Sequence, residues 1–565
     1  MASKQVALGA TTGRRWLDLG LMAGWIILGT GLRFTNLTAK PLWTDEFSTI
    51  VFSLGNSFRT VPLDRVISMA ELLQPLQPNP QAGVGTVMHH LLTESNHPPL
   101  YFVLTHLWLQ LFPPVEGLVS IWAVRSLSAC FGVLSIPATF GLAWWAFRSR
   151  VTAHLAAALM ATSPFGVYLA QEARHYTLPI LWAIASLGCL VIALRLLHQN
   201  LALPRWLCGS WILVNGLGIA THYFFTLVLA AAGLVLIVLG SRHWQKLRLI
   251  GWQRLGLVVI GSVISGLVWL PFLSGASDNE LTRWIVRSDR QGWQWLDPIA
   301  QTLAGWITML YMLPIQAGDR RVVMISIVAL LLLSLGTAVL LGRGWSAQWK
   351  IEQNRLPLAN LGGFVVGAIA LFLGITYGLE RDVTSAFRYN FVYFPAVVVL
   401  MGGALAHYWQ QRGKWIVVLI IGLSCVGAVT VVTNLGYQKT HRPDLVVQAI
   451  QAESHGHVLV AIAHRTHGQT GRLMGLAHDW QRHPSPTATV QFLLAHQTPN
   501  PQTALTSLQR ALETQPRPFD LWLINVETVA PKPLRQLLSQ QACTTRADSR
   551  SVDGYRYQPY ACAPY

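Results

Sequence analysis

The chain has 565 residues, of which 52% are hydrophobic and only 12% are charged, about half the charged fraction (~25%) of an ordinary soluble protein. With a mean hydropathy of +0.41, this composition excludes a disordered chain, a disulfide-built miniprotein and a standard cytosolic enzyme. The net charge of +17 has to be located along the chain before it says anything about nucleic acid.

A helix that crosses the hydrocarbon needs ~20 apolar residues. In chain order, Leu19–Leu32, Ser126–Phe147, Val151–Gln171, Thr177–Leu194, Leu255–Ser277, Val322–Gly342, Leu356–Leu379, Tyr389–Gln411 and Trp415–Gln438 meet or approach this without an interrupting charge. Trp206–Ser241 is too long for one span and is broken by Thr221-His222-Tyr223, so it is expected to form two short helices. The total is eleven predicted spans. Arg14-Arg15 precedes a first segment with no small-residue cleavage site, so that segment is expected to stay as an anchor.

With the N-terminus placed in the cytoplasm, the inner segments carry 16 Lys or Arg against two acids, Asp18 and Glu352. The outer loops are balanced, with 13 basic and 14 acidic residues. The excess charge is therefore a topology signal of the positive-inside kind, and nucleic acid drops out as a partner. An odd number of spans leaves the C-terminus outside. Residues 1–438 are expected to form a membrane domain and 439–565 an extracytoplasmic domain. The apolar run Tyr101–Phe112 is too short to span and would reverse every later loop, so 33–125 is assigned to one long outer loop. Its pieces 45–54, 62–74, 84–94 and 100–112 are predicted as interfacial helices.

The tail is rich in Gln, His, Thr and Pro. Val458–Ala463 and Leu521–Asn525 read as buried strands, and Thr503–Thr514 and Pro533–Gln541 as helices, which predicts a small α/β domain. Cys543 and Cys562 fall in this outer domain and are expected to pair. The other four cysteines lie in spans and read as packing residues.

Three outer-face groups could carry chemistry. Asp45 and Glu46 sit among Trp43, Thr44 and Phe47; apolar flanks raise the basicity that a general base needs. Gln171-Glu172-Ala173-Arg174-His175-Tyr176 packs an acid, a guanidinium, an imidazole and a phenol into one short connection. Arg388 and Tyr389 stand where a helix leaves the membrane, and a guanidinium can grip a phosphate with two hydrogen bonds. Each also has a plain reading, as a solvated loop pair, an interfacial Glu–Arg pair and a snorkelling arginine. His97 and His222, two more outward histidines, could hold a divalent metal ion or a phosphate. There is no Walker loop, CxxC cage or nucleophile elbow.

The order of these pieces resembles the GT-C glycosyltransferases of the protein-O-mannosyltransferase and aminoarabinose-transferase type, the bacterial family 39 membrane enzymes. The resemblance is carried by Pro41-Leu42-Trp43-Thr44-Asp45-Glu46, His97-Pro98-Pro99-Leu100-Tyr101, Ser163-Pro164-Phe165 running into Gln171–Tyr176, Thr221-His222-Tyr223-Phe224 and Phe387-Arg388-Tyr389. It covers about residues 30–410. It implies a mainly α, GT-C fold with a soluble α/β attachment, and an inverting transfer from a polyprenyl-phosphate sugar to a hydroxyl acceptor at the outer face of the plasma membrane. Asp45 would be the base with Glu46 beside it, and Glu172 would position the acceptor or a metal. His97, Arg174, Tyr176, His222, Arg388 and Tyr389 would contact the donor phosphate and sugar. No cofactor is required, although a divalent ion held by His222 stays open. The alternatives are a lipid-glycan transporter or flippase, an O-antigen-type ligase or polymerase, and a noncatalytic scaffold. Transporters place ionisable groups inside their spans, whereas here almost all acids lie in outer loops.

Overall fold

The structure is a computed structural model that describes residues 2–241, 249–270, 285–287, 289–437, 441–497, 501–526, 529 and 531–564. It opens with α1 (Ala2–Phe34), and the segment that follows carries α2 (Thr44–Ser53), β1 (Val66–Ile67), α3 (Met69–Leu73), α4 (Val84–Glu94) and α5 (Leu100–Leu109). Then come α6 (Ile121–Phe147), α7 (Arg150–Thr162), α8 (Pro164–Ala170), α9 (Thr177–His198), α10 (Arg205–Thr221), α11 (Phe225–Ser241) and α12 (Leu249–Leu267). The amphipathic α13 (Asp297–Leu310), which the sequence did not announce, precedes α14 (Arg320–Trp349), α15 (Glu352–Gly378), α16 (Phe394–Gln410) and α17 (Lys414–Val432). The tail runs α18 (Pro443–Glu453), β2 (Gly456–His464), α19 (His467–Arg482), β3 (Ala488–His496), α20 (Pro501–Thr514), β4 (Phe519–Ile524), α21 (Pro531–Gln540), β5 (Cys543–Thr545), β6 (Arg550–Val552) and β7 (Tyr555–Cys562).

Among the described residues, six helices are long and apolar enough to cross a membrane: α1 from Arg15, α6, α9, α14, α15 and α17. The pair α7 and α8, bent by 55°, makes a seventh if it is one broken span. The other predicted segments fall on α10, α11, α12 and α16, and the break at His222 separates α10 from α11 as expected. The part of Leu255–Ser277 beyond 270 lies outside the described residues. The chain is a multi-pass membrane protein. Two compact units are present. One comprises 1–37, 96–101 and 125–438; the other comprises 38–95, 102–124 and 439–565.

In the first unit the backbone breaks at Ser163-Pro164. Pro164 has no N–H for the Met160 carbonyl, and its ring crowds that carbonyl, so α7 stops at Thr162. Ser163 caps the next helix by accepting from the Gly166 N–H, and its hydroxyl donates to the Met309 carbonyl at 2.6 Å. The carbonyls freed at the end of α7 are met by Arg33, fully buried near the end of α1. Its guanidinium donates to Met160 O at 2.8 Å and to Ala161 O at 3.0 Å. In hydrocarbon these carbonyls have no water to turn to, and the positive charge also suits a helix C-terminus. Glycines leave room for it: a Cβ on Gly132 would lie 3.0 Å from Arg33 Nε and 2.8 Å from the Ala170 Cβ. Gln171, the first residue past α8, donates to Thr35 O at 2.9 Å and so ties the 171–176 connection to the end of α1.

Small residues bring other helices close, as expected where no hydrophobic force drives helices together. A Cβ on Gly402 of α16 would sit 2.9 Å from the Ala156 nitrogen, and one on Gly344 of α14 would sit 2.6 Å from the Ala404 oxygen. Polar side chains join α9, α10 and α12 through Ser186, Asn215 and Ser262 at 2.8–2.9 Å.

The second unit is a seven-stranded sheet in the order β1-β3-β2-β4-β7-β5, with β6 on β7. β3, β2 and β4 are parallel, with helices between them. The two strands and two helices predicted in the tail are present as β2, β4, α20 and α21. β3, α18, α19 and β5–β7 went unread. Cys543 and Cys562 form the disulfide, on paired strands β5 and β7. The predicted helices 45–54, 84–94 and 100–112 appear as α2, α4 and α5; 62–74 keeps only the five-residue α3, preceded by β1. β1 adds antiparallel to β3 with Val66 opposite Leu493. Beside it the Asp64 carboxylate accepts from the His496 amide at 2.9 Å and the Ser507 hydroxyl at 2.6 Å. α2 buries every residue from Glu46 to Ser53 and packs on α19, where a Cβ on Gly471 would lie 3.2 Å from Thr44. Residues 38–95 and 102–124 thus share one compact unit with the tail.

Gly132→Ala forces its new methyl against Ala170 and the Arg33 guanidinium. It is expected to destabilise the protein by about 1–3 kcal/mol, read as a lowered thermal midpoint in detergent; an unchanged midpoint would show that the helices yield at no cost.

Candidate functional site

Of the residues singled out from sequence, Asp45 and Glu46 belong to the second unit, while His97, Glu172, Arg174, Tyr176, His222, Arg388 and Tyr389 belong to the first. Asp45 and Glu46 lie in the first turn of α2, where the unpaired amides of the helix favour negative charge. Glu46 is fully buried and Asp45 partly exposed. Trp43 sets the entry to the helix in extended conformation, and its ring lies 6.1 Å from that of His441. His467, at the start of α19, stacks on Phe58 at 5.1 Å and meets Phe52 edge-on at 6.1 Å. Burial pushes the His467 imidazole down to about 4, against the opposing pull of Glu94 and Asp45. Burial, with His496 and His467 nearby, does the same to His464.

In the first unit four separate segments meet. The turn after α8 supplies Glu172, Arg174, His175 and Tyr176, all 1–2% exposed. The 96–101 segment supplies His97 and Tyr101. The break between α10 and α11 supplies His222. A 3₁₀ turn, Phe387–Val392, supplies Arg388 and Tyr389 just before α16; sequence placed Tyr389 inside the span, but Pro395 starts the helix later. Tyr101 and Ser128 fix the turn: Ser128 donates to the Arg174 carbonyl at 2.8 Å and is itself 2.7 Å from the Tyr101 hydroxyl. Ser128 lies within an apolar helix and carried no sequence signal.

The Arg174 guanidinium donates to His97 Nε2 at 3.1 Å and lies 5.8 Å from the Tyr176 ring centre. That bond makes His97 Nε2 an acceptor, so its ring is neutral with the proton on Nδ1. His222 Nδ1 accepts from the Phe224 amide at 3.0 Å, which leaves its proton on Nε2. The rings of His175 and His222 meet edge-on at 4.6 Å, and His175 is 5.7 Å from His97. Tyr176, Tyr389, Phe224 and Phe391 close round them, with Phe224 4.5 Å from Tyr389 and Phe391 5.0 Å from His222. Arg388 stands 5.6 Å from the Tyr389 ring centre. Burial, followed by the neighbouring His97, Arg174 and Arg388, holds the His222 imidazole well below 6.5. His175 is held low by burial and then by His222, Arg174, His97 and Arg388.

The cluster therefore combines two permanent cations, three neutral imidazoles and aromatic faces with one carboxylate, Glu172. Such a set suits an anion attached to an apolar or sugar body. Among the described residues no group of three His, Cys, Asp or Glu has the spacing to hold a metal ion. His175 was quoted in its motif but given no role; its neighbours come from remote segments, so no local pattern marked it.

The chain matches no protein-family model and no curated protein. It is similar in structure to ArnT from Cupriavidus metallidurans bound to undecaprenyl phosphate, at 14% identity over 98% of this chain and 99% of that one, with a TM-score of 0.49. It is similar to the archaeal oligosaccharyltransferase AglB from Archaeoglobus fulgidus in complex with an inhibitory peptide and a dolichol-phosphate, at 11% identity over 96% of this chain and 74% of that one, TM-score 0.45. The S. cerevisiae protein O-mannosyltransferase Pmt1-Pmt2 complex bound to the sugar donor aligns with 46% of this chain and 34% of its own, at 12% identity and TM-score 0.32.

His467 binds a proton in the unfolded chain near pH 6.5 but in the folded one only near 4. Stability linked to it is full above 6.5 and is lost as pH falls towards 4, by up to ~3 kcal/mol. The thermal midpoint of the wild type should drop through that window, and His467→Phe, which keeps the stack on Phe58, should drop less. Equal slopes would remove His467 from the acid response.

Proposed function

We propose that the protein is a GT-C-type glycosyltransferase that moves a sugar from a polyprenyl-phosphate donor to a hydroxyl acceptor at the outer face of the plasma membrane. The observation that carries this reading is the cluster of Arg174 and Arg388 with three neutral imidazoles and Tyr176 and Tyr389, on turns that connect apolar helices. A lipid-linked sugar has its chain in the bilayer and its phosphate at the interface, where such turns lie. The proposed topology has the N-terminus in the cytoplasm and the α/β unit outside, following the basic inner segments.

In the proposed reaction Asp45 removes the acceptor hydroxyl proton while that oxygen attacks the anomeric carbon. The bond from that carbon to the phosphate oxygen breaks, and the electron pair leaves with the lipid phosphate. A single displacement inverts the carbon. Arg388 and Arg174 stabilise the charge growing on the phosphate, which is where preorganised cations lower a barrier most. Glu172 positions the acceptor, Glu46 supports Asp45, and His97, His222, Tyr176 and Tyr389 line the donor. The transporter alternative lacks support from the two arginines buried within helices among the described residues: Arg33 and Arg125 donate to backbone carbonyls and act as structural ties.

Purified protein incubated with a panel of polyprenyl-phosphate sugars in single-turnover assays should consume one of them. Asp45→Asn should slow transfer by about 10²–10⁴-fold, the usual worth of a general base, with the thermal midpoint unchanged; an unaltered rate removes the base assignment. Arg388→Ala should weaken donor affinity by about tenfold or more, since hydrogen bonds to charged groups are worth ~1.5–3 kcal/mol. Undiminished affinity rejects its role.

A further inference from the structure

His175 has no task in the reaction proposed above, yet its setting is the most unusual in the cluster. Its side chain is 1% exposed, and neither ring nitrogen has a hydrogen-bond partner among the described residues. Buried polar groups are almost always paired, and a native exception calls for a ligand, an ion or a chemical role. The ring is held by other rings instead: His222 at 4.6 Å, Tyr176 at 4.6 Å, His97 at 5.7 Å and Tyr101 at 6.0 Å.

The groups around it come from every packed segment. Glu172 and Arg174 lie on its own turn, His97 and Tyr101 on the 96–101 segment, His222 between α10 and α11, and Arg388 and Tyr389 on the turn before α16. Of the three imidazoles, only His175 can gain a proton without giving up a bond. Protonating Nε2 of His97 would break its contact with the Arg174 guanidinium, and protonating Nδ1 of His222 would release the Phe224 amide.

We propose that His175 contacts the phosphate of the lipid carrier directly and takes up one proton as that anion binds, so that the site grips lipid phosphate more tightly at lower pH. The proposal rests on the donor reading above. Without the anion, burial and the surrounding cations keep the ring neutral. A phosphate placed among Arg174, Arg388 and His175 offsets the two guanidinium charges and, in contact with the ring, favours imidazolium. Linkage then requires affinity to rise as pH falls through the pKa of the bound state, by at most about tenfold per pH unit for one proton.

The test is binding of a polyprenyl methyl phosphodiester to the full-length protein by calorimetry between pH 5.5 and 8.5. A phosphodiester keeps one charge throughout, so any proton taken up belongs to the protein. The wild type should bind several-fold more tightly at the acid end and take up a proton, seen as a heat that varies with the buffer. His175→Gln keeps a donor and an acceptor but cannot titrate; it should bind with a flat pH profile and no proton uptake. His175→Phe should bind weakly at every pH. If the wild type and Arg388→Ala bind equally, or neither binds, the donor reading falls and this inference with it. If Arg388→Ala loses affinity while His175→Gln keeps the wild-type slope, the donor reading stands and the role of His175 is overturned.

Discussion

The membrane unit depends on how it treats the two carbonyls released at the Ser163-Pro164 break. A proline in the middle of an apolar helix leaves backbone oxygens with neither an intrahelical partner nor water. Arg33 meets them across 127 and 128 residues of sequence. Its charge is tolerated because those oxygens, and the end of α7 as a dipole, accept it. The bend sends α8 off at 55° and delivers Gln171 to the end of α1, where it meets the Thr35 carbonyl. The turn that bears Glu172, Arg174, His175 and Tyr176 is consequently tied at its start to the end of α1 and at the Arg174 carbonyl to Ser128.

The same economy appears in the cluster itself. Arg174 is fixed by its own carbonyl, through Ser128 and Tyr101, before its guanidinium reaches His97. His222 is oriented by a backbone amide two residues ahead. These bonds decide the tautomers of both imidazoles and leave them neutral, while Arg174 and Arg388 retain charge at any relevant pH. Among the described residues of the cluster, His175 keeps both ring nitrogens clear of such bonds. Aromatic rings pack against His175 and His222, and a lower local dielectric strengthens polar interactions beside them.

The second unit shows a different route to order. Two residues of the long first loop, Val66 and Ile67, add a strand to a sheet otherwise built from the tail. Asp64 locks the junction by accepting from β3 and α20. Because α2 is buried in this unit, the Asp45-Glu46 pair sits at the N-terminus of a core helix and is held by packing.

What the sequence determined alone follows from local physics. Hydropathy over about twenty residues located the helices, and the polar interruption at Thr221–Tyr223 correctly divided α10 from α11. Apolar runs bounded by turn residues located β2 and β4, and the two cysteines of the tail located the disulfide. The motif order brought Glu172, Arg174, Tyr176, His222, Arg388 and Tyr389 to attention because each carries unusual chemistry on a short turn between apolar helices. Tertiary structure decided the rest. β1 is two residues long and has no periodicity to read; only its partner β3 makes it a strand. Nothing in the sequence around Arg33 marks its task, because the carbonyls it meets belong to the distant α7. His175 became the centre of the cluster only when three distant segments packed around its own turn, because a pattern along the chain records neighbours in sequence and the chemistry of a site depends on neighbours in space.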